Sequence, residues 1–472
     1  MGRAAALTFI GCALFGAASC SGSERQLLVI VDTDVALPAH VGSDPAIAPG
    51  AIIERLRVDM LPNTGLENPI VSDPYSRIFE LGPTTKWPLS FAVSDSGTPD
   101  GLVRIRIRGY RADSTSRTDN LLTSSDASRP LLHLTIDRFV IVELPQDDVV
   151  KKVRVVLSGD CLGAPANIDE QTNCITNPDA YESARGGFTS EDAPSIAGTW
   201  SSLRSVPCAL PAPPDKDVVC EPGGVTIRGD LNFEDVDTSF EQVESTPRHF
   251  VRLAPFYIDR REVTVGRFRK FVATGALSAE QVPDVRSPTN PNCTWSDTAG
   301  ADEELPINCI PYRTARAFCK AEGGDLPTDA QWEHAARGAR VGASYVWGDE
   351  DARCCSARTA NVSGCPGIGP AVVGSYADPA RCEGRADVTP EGVVDLAGNV
   401  REMVVDAPES YDSEKCPRAA IAKDPVCDPD GDAHTARGGS FRTSFDRAKI
   451  GMRTTTRISD DVGFRCVYPG AP

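Results

Sequence analysis

Asp325-Leu326-Pro327-Thr328-Asp329-Ala330-Gln331-Trp332-Glu333-His334-Ala335-Ala336-Arg337-Gly338 is the stretch on which the fold of this chain turns. Thr328 and Gln331 have the spacing of a capping box, in which the hydroxyl and the amide each satisfy a backbone N–H left free at a helix start. The helix that follows carries Trp332, Ala335 and Ala336 on one side, and that side packs inward.

Two more helices are legible upstream. Thr264 can cap one in which Val265, Phe268, Phe271 and Val272 share a face, with Gly275 as the stop. The second, near Tyr312–Glu322, offers Ala315, Phe318 and Cys319 to the interior before Gly323-Gly324 ends it.

Further motifs stand around these helices in a fixed order. Pro222 to Asp230, Glu244 to Pro247 and Phe256 to Thr264 come first, and Trp347-Gly348 follows the third helix. Asp395-Leu396-Ala397-Gly398-Asn399-Val400-Arg401-Glu402, Arg437-Gly438-Gly439-Ser440-Phe441, Arg453 and Gly463-Phe464-Arg465-Cys466 complete the series.

Over residues 216–470 this series resembles the formylglycine-generating enzyme, or sulfatase-modifying factor, family. The resemblance implies an α+β domain with that family's C-type-lectin-like fold. It also implies a disulfide between Cys319 and Cys466, which closes a loop of 147 residues and on the loop-entropy argument stabilises by about 4–5 kcal/mol.

In the family's oxidases two cysteines follow the glycine-glycine-serine motif, bind copper and activate oxygen. The matching positions hold Thr443 and Ala448. A hydroxyl and a methyl group cannot hold Cu(I) or exchange with a substrate thiol, so oxidase chemistry and bound copper are not expected. Arg401 and Met403 replace two of the family's aromatics. Five scattered histidines give no ligand cluster for the family's iron-dependent relatives.

A structural calcium ion is also implied by the resemblance, held by the side chains of Asp395 and Glu402 and the carbonyls of Gly398 and Val400. Hard oxygen donors suit that ion. A weaker second set maps onto Asn361, Val362, Gly374 and Tyr376, where Gly374 lacks a carboxylate found in some members. Asp428, Asp430 and Asp432 around Gly431 read as a solvated turn.

The N-terminal part is different in kind. Arg3 precedes an apolar run from Ala4 to Ala18, shorter than the ~20 residues of a spanning helix. Residues 1–19 therefore read as a signal peptide. Ala17-Ala18-Ser19-Cys20 resembles a bacterial lipobox, which implies lipidation of Cys20, and Ser21 favours the outer membrane; a plainly secreted protein is the alternative.

Residues 25–161 read as an all-β sandwich, because short apolar runs alternate between turn clusters. Val103, Ile105 and Ile107 alternate with Arg104, Arg106 and Arg108, which predicts one buried face and one solvated cationic face. Residues 162–214, rich in Asp, Ser, Pro and Gly, read as a linker.

Acidic side chains outnumber basic ones 66 to 48, for a formal charge of -18, which argues against nucleic acid as a partner. The 16 cysteines, less Cys12 in the signal and Cys20, leave an even set that suits an oxidising compartment. Short separations suggest Cys161–Cys174, Cys208–Cys220, Cys293–Cys309 and Cys416–Cys427 as disulfides, and pairings of Cys354 and Cys355 with Cys365 and Cys382.

The reading that emerges is a lipid-anchored, non-catalytic binding or scaffold protein of the cell envelope. An unidentified protein or glycan would be held on loops 278–308 and 406–434. One alternative is a divergent enzyme of the same family, working in a groove near Arg401, Ser440, Thr443 and Arg453. The other is a structural component of an envelope assembly.

Overall fold

The computed structural model describes residues 9–10, 26–38, 51–61, 76–94, 101–112, 114–117, 125–145, 149–190, 193–203, 205–229, 245, 248–275, 283, 285–338, 343–348, 357, 369–378, 380, 385–411, 413–417 and 421–471. Cys20, Asn361, Val362 and the cysteines at 354, 355, 365 and 382 lie outside these residues. The chain divides into two compact units, 1–204 with 419–421, and 205–418 with 422–472.

In the first unit, the described elements between residues 26 and 157 are strands and one short 3-10 turn. With Phe9–Ile10 they form two four-stranded sheets and a two-stranded pair of Thr115–Arg117 with Ser125–Pro130. One orders Phe9–Ile10, Leu89–Ser94, Gln26–Thr33 and Lys151–Leu157, the last pair parallel. The other orders Ser76–Glu80, Arg55–Met60, Leu102–Tyr110 and Thr135–Glu143, all antiparallel.

Two of the three arginines on the cationic face of Leu102–Tyr110 are buried and not solvated, contrary to expectation, while Arg104 is half-buried. Arg106 is 5% exposed and Arg108 2%. Arg106 donates to Asp137 at 2.7 Å, and Arg57 and Arg108 both reach Asp59, at 2.8 and 2.5 Å. The cover over this face is the stretch whose composition reads as a linker.

The Ala166 amide donates to Asp137, the Phe139 amide donates to Asn173, and Ile141 bridges to Arg185. Phe139, Ile141 and Ala184 share an apolar cluster with Leu61, and Cys161–Cys174 ties the stretch down. Polar composition misleads here because the face being covered is itself charged. Hydrogen bonds to Asp137 and Asn173 hold the cover, together with the small apolar cluster.

Among the described residues of the second unit, three small sheets and three α-helices surround two large apolar clusters, with a small third one at Tyr411, Cys416 and Cys427. The helices are α1 (Val265–Val272), α2 (Tyr312–Ala321) and α3 (Asp329–Arg337). Thr264 caps α1 by accepting from the Arg267 amide, and Thr328 and Gln331 form both bonds of the capping box on α3. Of the faces predicted to be buried, Val265, Phe268 and Phe271, Ala315, Phe318 and Cys319, and Trp332, Ala335 and Ala336 are buried, while Val272 is half-buried.

Cys319–Cys466 joins α2 to the chain just before the strand Val467–Pro469. The other four short-range disulfides expected from spacing are also formed. The sheet that positions the site runs Arg453–Thr455, Thr435–Arg437, Arg401–Met403 and Val462–Gly463, the last two strands parallel.

Candidate functional site

The glycine-glycine-serine turn follows the strand Thr435–Arg437 and packs directly on Leu396 and Ala397. A Cβ on Gly438, whose φ is +75°, would lie 2.5 Å from the Leu396 carbonyl oxygen, and one on Gly439 would lie 2.5 Å from that of Ala397. Only glycine allows so close a backbone approach. The same added Cβ on Gly439 would lie 3.1 Å from Thr443 Oγ1 and 3.2 Å from Ala448 Cα, so the two residues at the family's cysteine positions converge beside this glycine.

Neither residue offers a reactive group there. Thr443 Oγ1 accepts from the Ser440 amide at 2.7 Å and donates to the Ser440 carbonyl at 3.1 Å. Ala448 is buried in an apolar cluster with Phe445, Tyr345 and Trp332.

Ser440 is fully buried and donates to Asp461 at 2.8 Å, and Arg401 pairs with the same carboxylate at 3.0 Å. Burial pushes the Asp461 carboxyl up, but Arg401 and hydroxyls of Ser459 and Ser440 outweigh it and hold the group below its ordinary value. Arg401, Ser440 and Thr443 thus form one network.

Arg453 does not join them. It is fully buried, 2.7 Å from Asp329, with its guanidinium 4.3 Å from the centre of the Tyr411 ring. It belongs to a cation-rich cluster of Arg228, Arg337, Arg437 and Arg453 around Asp329, Glu333 and Asp406. Arg437 reaches Asp329 at 3.1 Å and Glu333 at 2.6 Å, and Arg337 reaches Glu333 at 2.7 Å. Burial raises the Asp329 carboxyl, yet Arg437, Arg453 and Arg228 together hold it far below the usual range.

The four residues of the implied calcium set lie on one buried turn. Asp395 and Asn399 adopt positive φ, 60° and 66°. Asp395 accepts from the Gly374 amide. Glu402 accepts from Arg465 through both oxygens, at 2.6 and 2.7 Å, and from the Trp332 indole at 2.8 Å.

Two more buried carboxylates complete this place. Glu262 accepts from the Val400 amide and the Asn399 side chain, and Asp387 accepts from the Leu396 and Ala397 amides. Four carboxylates here face one buried guanidinium, Arg465. Burial first, then its neighbour Asp395, pushes Asp387 up to about 8. Burial also raises Asp395 to about 6, with Glu402 adding to the shift. Glu262 is raised well above its ordinary value by burial and by Asp395 and Glu402.

Of the weaker set, Gly374 and Tyr376 serve this same turn, since the Tyr376 carbonyl accepts from the Asp387 amide at 3.0 Å. Glu262 stands inside a quoted motif but carries no spacing signal as a partner. Asp387 and Asp461 lie in loops without a periodic pattern, so only the fold reveals them.

Residues 206–469 match the sulfatase-modifying factor enzyme 1-like domain. The chain belongs to this family. It is 32% identical over 296 residues to a formylglycine-generating enzyme of Streptomyces coelicolor, covering 52% of this chain and 87% of that one. Over 133 residues it is 30% identical to a mouse protein named inactive C-alpha-formylglycine-generating enzyme 2, covering 22% of this chain and 43% of that one. The solved structure of PvdO from Pseudomonas aeruginosa overlaps 55% of this chain and 98% of its own, with 20% identity and a TM-score of 0.41. The family's motifs contain the Ser440 turn, the Asp395 turn and every charged residue of the cation-rich cluster except Asp406.

Proposed function

We propose that this member of the sulfatase-modifying factor family is a binding or scaffold protein and not a cysteine oxidase. The observation that carries the reading is the convergence of Thr443 and Ala448 beside Gly439, with the hydroxyl of the first turned back onto Ser440 and the second buried in apolar contacts. No thiolate is offered where the family's oxidases hold copper. A divergent hydrolytic or transfer role at Ser440 lacks support, because its partner Asp461 is held below the ordinary carboxylate range and is a poor proton acceptor.

Incubating the purified chain with copper and a cysteine-containing sulfatase peptide should leave the peptide unchanged by mass spectrometry. Aldehyde product rising with protein concentration would sink the reading and restore the enzymatic alternative.

Further parts of the proposal rest on the sequence. The domain takes the C-type-lectin-like arrangement, the first unit is a sandwich, and ligand is engaged on loops 278–308 and 406–434. In their described parts these loops are pinned by Cys293–Cys309 and Cys416–Cys427. Export with a lipid on Cys20 would place the body on the envelope, a role that an assembly component could share; metabolic labelling with palmitate, compared with Cys20→Ser, tests the anchor.

Calcium is the cation the Asp395 turn suits, with Asp395 and the carbonyls of Gly398 and Val400 as donors and Glu402 shared with Arg465. The support is the excess of buried carboxylate over guanidinium, which a divalent cation would neutralise. Chelation should lower the melting temperature, calcium at a hundredfold over Kd should restore about 2.7 kcal/mol, and Asp395→Asn should abolish the difference. An unchanged melt on chelation would remove calcium from the account.

A further inference from the structure

The most exposed large apolar side chains of the first unit are gathered at one end of it. Among its described residues Val149, Val150 and Phe188 lead, at 53%, 52% and 48% exposed. Single exposed apolar side chains are ordinary, whereas grouped ones mark a contact surface. Val149 and Val150 run directly into the strand Lys151–Leu157. The Thr189 amide donates to the Lys152 carbonyl at 2.8 Å, which brings Phe188 alongside, and the Lys151 ammonium lies 5.9 Å from the centre of the Phe188 ring.

Strand register fixes which end this is. Lys151–Leu157 runs parallel to Gln26–Thr33 with Lys151 opposite Leu27, so both strands start at the same end of their sheet. The chain that leads from Cys20 enters there, at Gln26. The six residue steps between them span at most about 20 Å, so the membrane end of a tether at Cys20 stays within that distance of the strand start.

We propose that Val149, Val150 and Phe188 rest on the bilayer to which Cys20 is tethered, so that the first unit stands on the membrane by this end. The inference rests on the lipid anchor proposed above and adds the protein surface that meets the lipid. Three side chains are too few to hold a free protein on a bilayer, but the tether makes their contact intramolecular and raises its effective concentration. The aliphatic and phenyl groups enter the boundary between headgroups and acyl chains, and Lys151, beside Phe188, keeps its ammonium at the headgroup level. Asp147 and Asp148 precede the valines, and Lys151 and Lys152 follow them, so the formal charges of this stretch cancel. Headgroup charge therefore has little part in the contact.

The opposite end of the unit supplies a control. A Cβ on Gly109 would lie 3.1 Å from Leu157 Cδ1, and Gly109 pairs with Ile136, so the turn Leu132–Leu134 lies where Lys151–Leu157 finishes. Leu132 is 43% exposed, and the length of the strand sets it about 20 Å from the proposed contact.

The test places tryptophan at each end, as Val150→Trp or Leu132→Trp, in the full lipidated chain. The chain is reconstituted into vesicles of phosphatidylethanolamine and dibrominated phosphatidylcholine, and wild-type fluorescence is subtracted. The bromolipid should quench the added indole of Val150→Trp about threefold more than that of Leu132→Trp, and Phe188→Glu in the Val150→Trp chain should cut that quenching by about half. Equal quenching in the two variants, none in either, quenching unmoved by Phe188→Glu, or quenching that requires added phosphatidylglycerol would overturn the proposal. So would a dimer of the Cys20→Ser chain that Val150→Glu disperses, since a second copy would then cover the patch. Palmitate labelling separates the two readings. Label on Cys20 without quenching removes the membrane contact and leaves the anchor, whereas no label on Cys20 removes both.

Discussion

The second unit buries two charge clusters of opposite balance. Around Asp329, four arginines meet three carboxylates. Around Asp395, four carboxylates meet Arg465. Trp332 touches both, with its indole donating to Glu402 and its ring under the Arg437 guanidinium at 5.1 Å. In the first cluster the charges nearly cancel and each carboxylate has at least two partners, although burial and Asp329 still raise Asp406. The second carries a surplus of buried acid, which raises Asp387, Asp395 and Glu262. Trp332 therefore joins a nearly balanced cluster to an acid-rich one.

The largest effect separates the two directly. Asp329→Ala strands Arg228, Arg437 and Arg453 without their shared carboxylate, and removing one partner of a buried ionic network costs about 3–5 kcal/mol. Asp387→Asn keeps an oxygen to accept from the Leu396 and Ala397 amides and removes a surplus charge, so it should cost less than about 1 kcal/mol and raise stability at pH 8. Urea denaturation of both variants in calcium-free buffer measures the contrast. Equal losses would show that the clusters are not different in kind.

The same contrast predicts opposite pH responses. Asp329 and Glu333 are held below their ordinary values in the folded protein despite burial, by Arg437 and Arg453 and by Arg337 and Arg437. The stability they contribute is therefore full above about pH 4.5 and is lost as the pH falls further. Asp387 runs the other way, raised to about 8. Its contribution is full below about pH 4 and is lost as the pH rises through 8. A calcium-free stability profile should fall on both sides of the weakly acidic range. Asp387→Asn should flatten the alkaline side alone; an unaltered alkaline limb in that variant would contradict the assignment.

How much of this was legible in the sequence follows from what periodicity can carry. The three helices and their buried faces were readable because capping hydroxyls and apolar spacing are local signals. Thr443 and Ala448 were readable because the motif before them fixes an offset. Asp461, Asp387 and Glu262 were not, since each acts through a neighbour far along the chain. Arg453 was misplaced for a related reason: from the sequence an arginine near a groove motif suggests a surface, and only the Asp329 and Tyr411 contacts show that it is interior. The boundary between the units lies within 162–214, but polar composition there concealed a cover over Arg106 and Asp137.

The smallest effect tests how the cation-rich cluster is held in place. Asp329 is the first residue of α3, so the Thr328 cap that satisfies the Gln331 amide also fixes where the carboxylate points. Thr328→Ala removes that bond and should cost about 1 kcal/mol. If the cap only stabilises the helix, the loss will be the same in the wild-type and Asp329→Asn backgrounds. If it also aims Asp329 at the arginines, the loss will shrink in the Asp329→Asn background, where the aim ceases to matter. Equal losses would leave Asp329 positioned by the arginines themselves, with the helix start following the ion pairs.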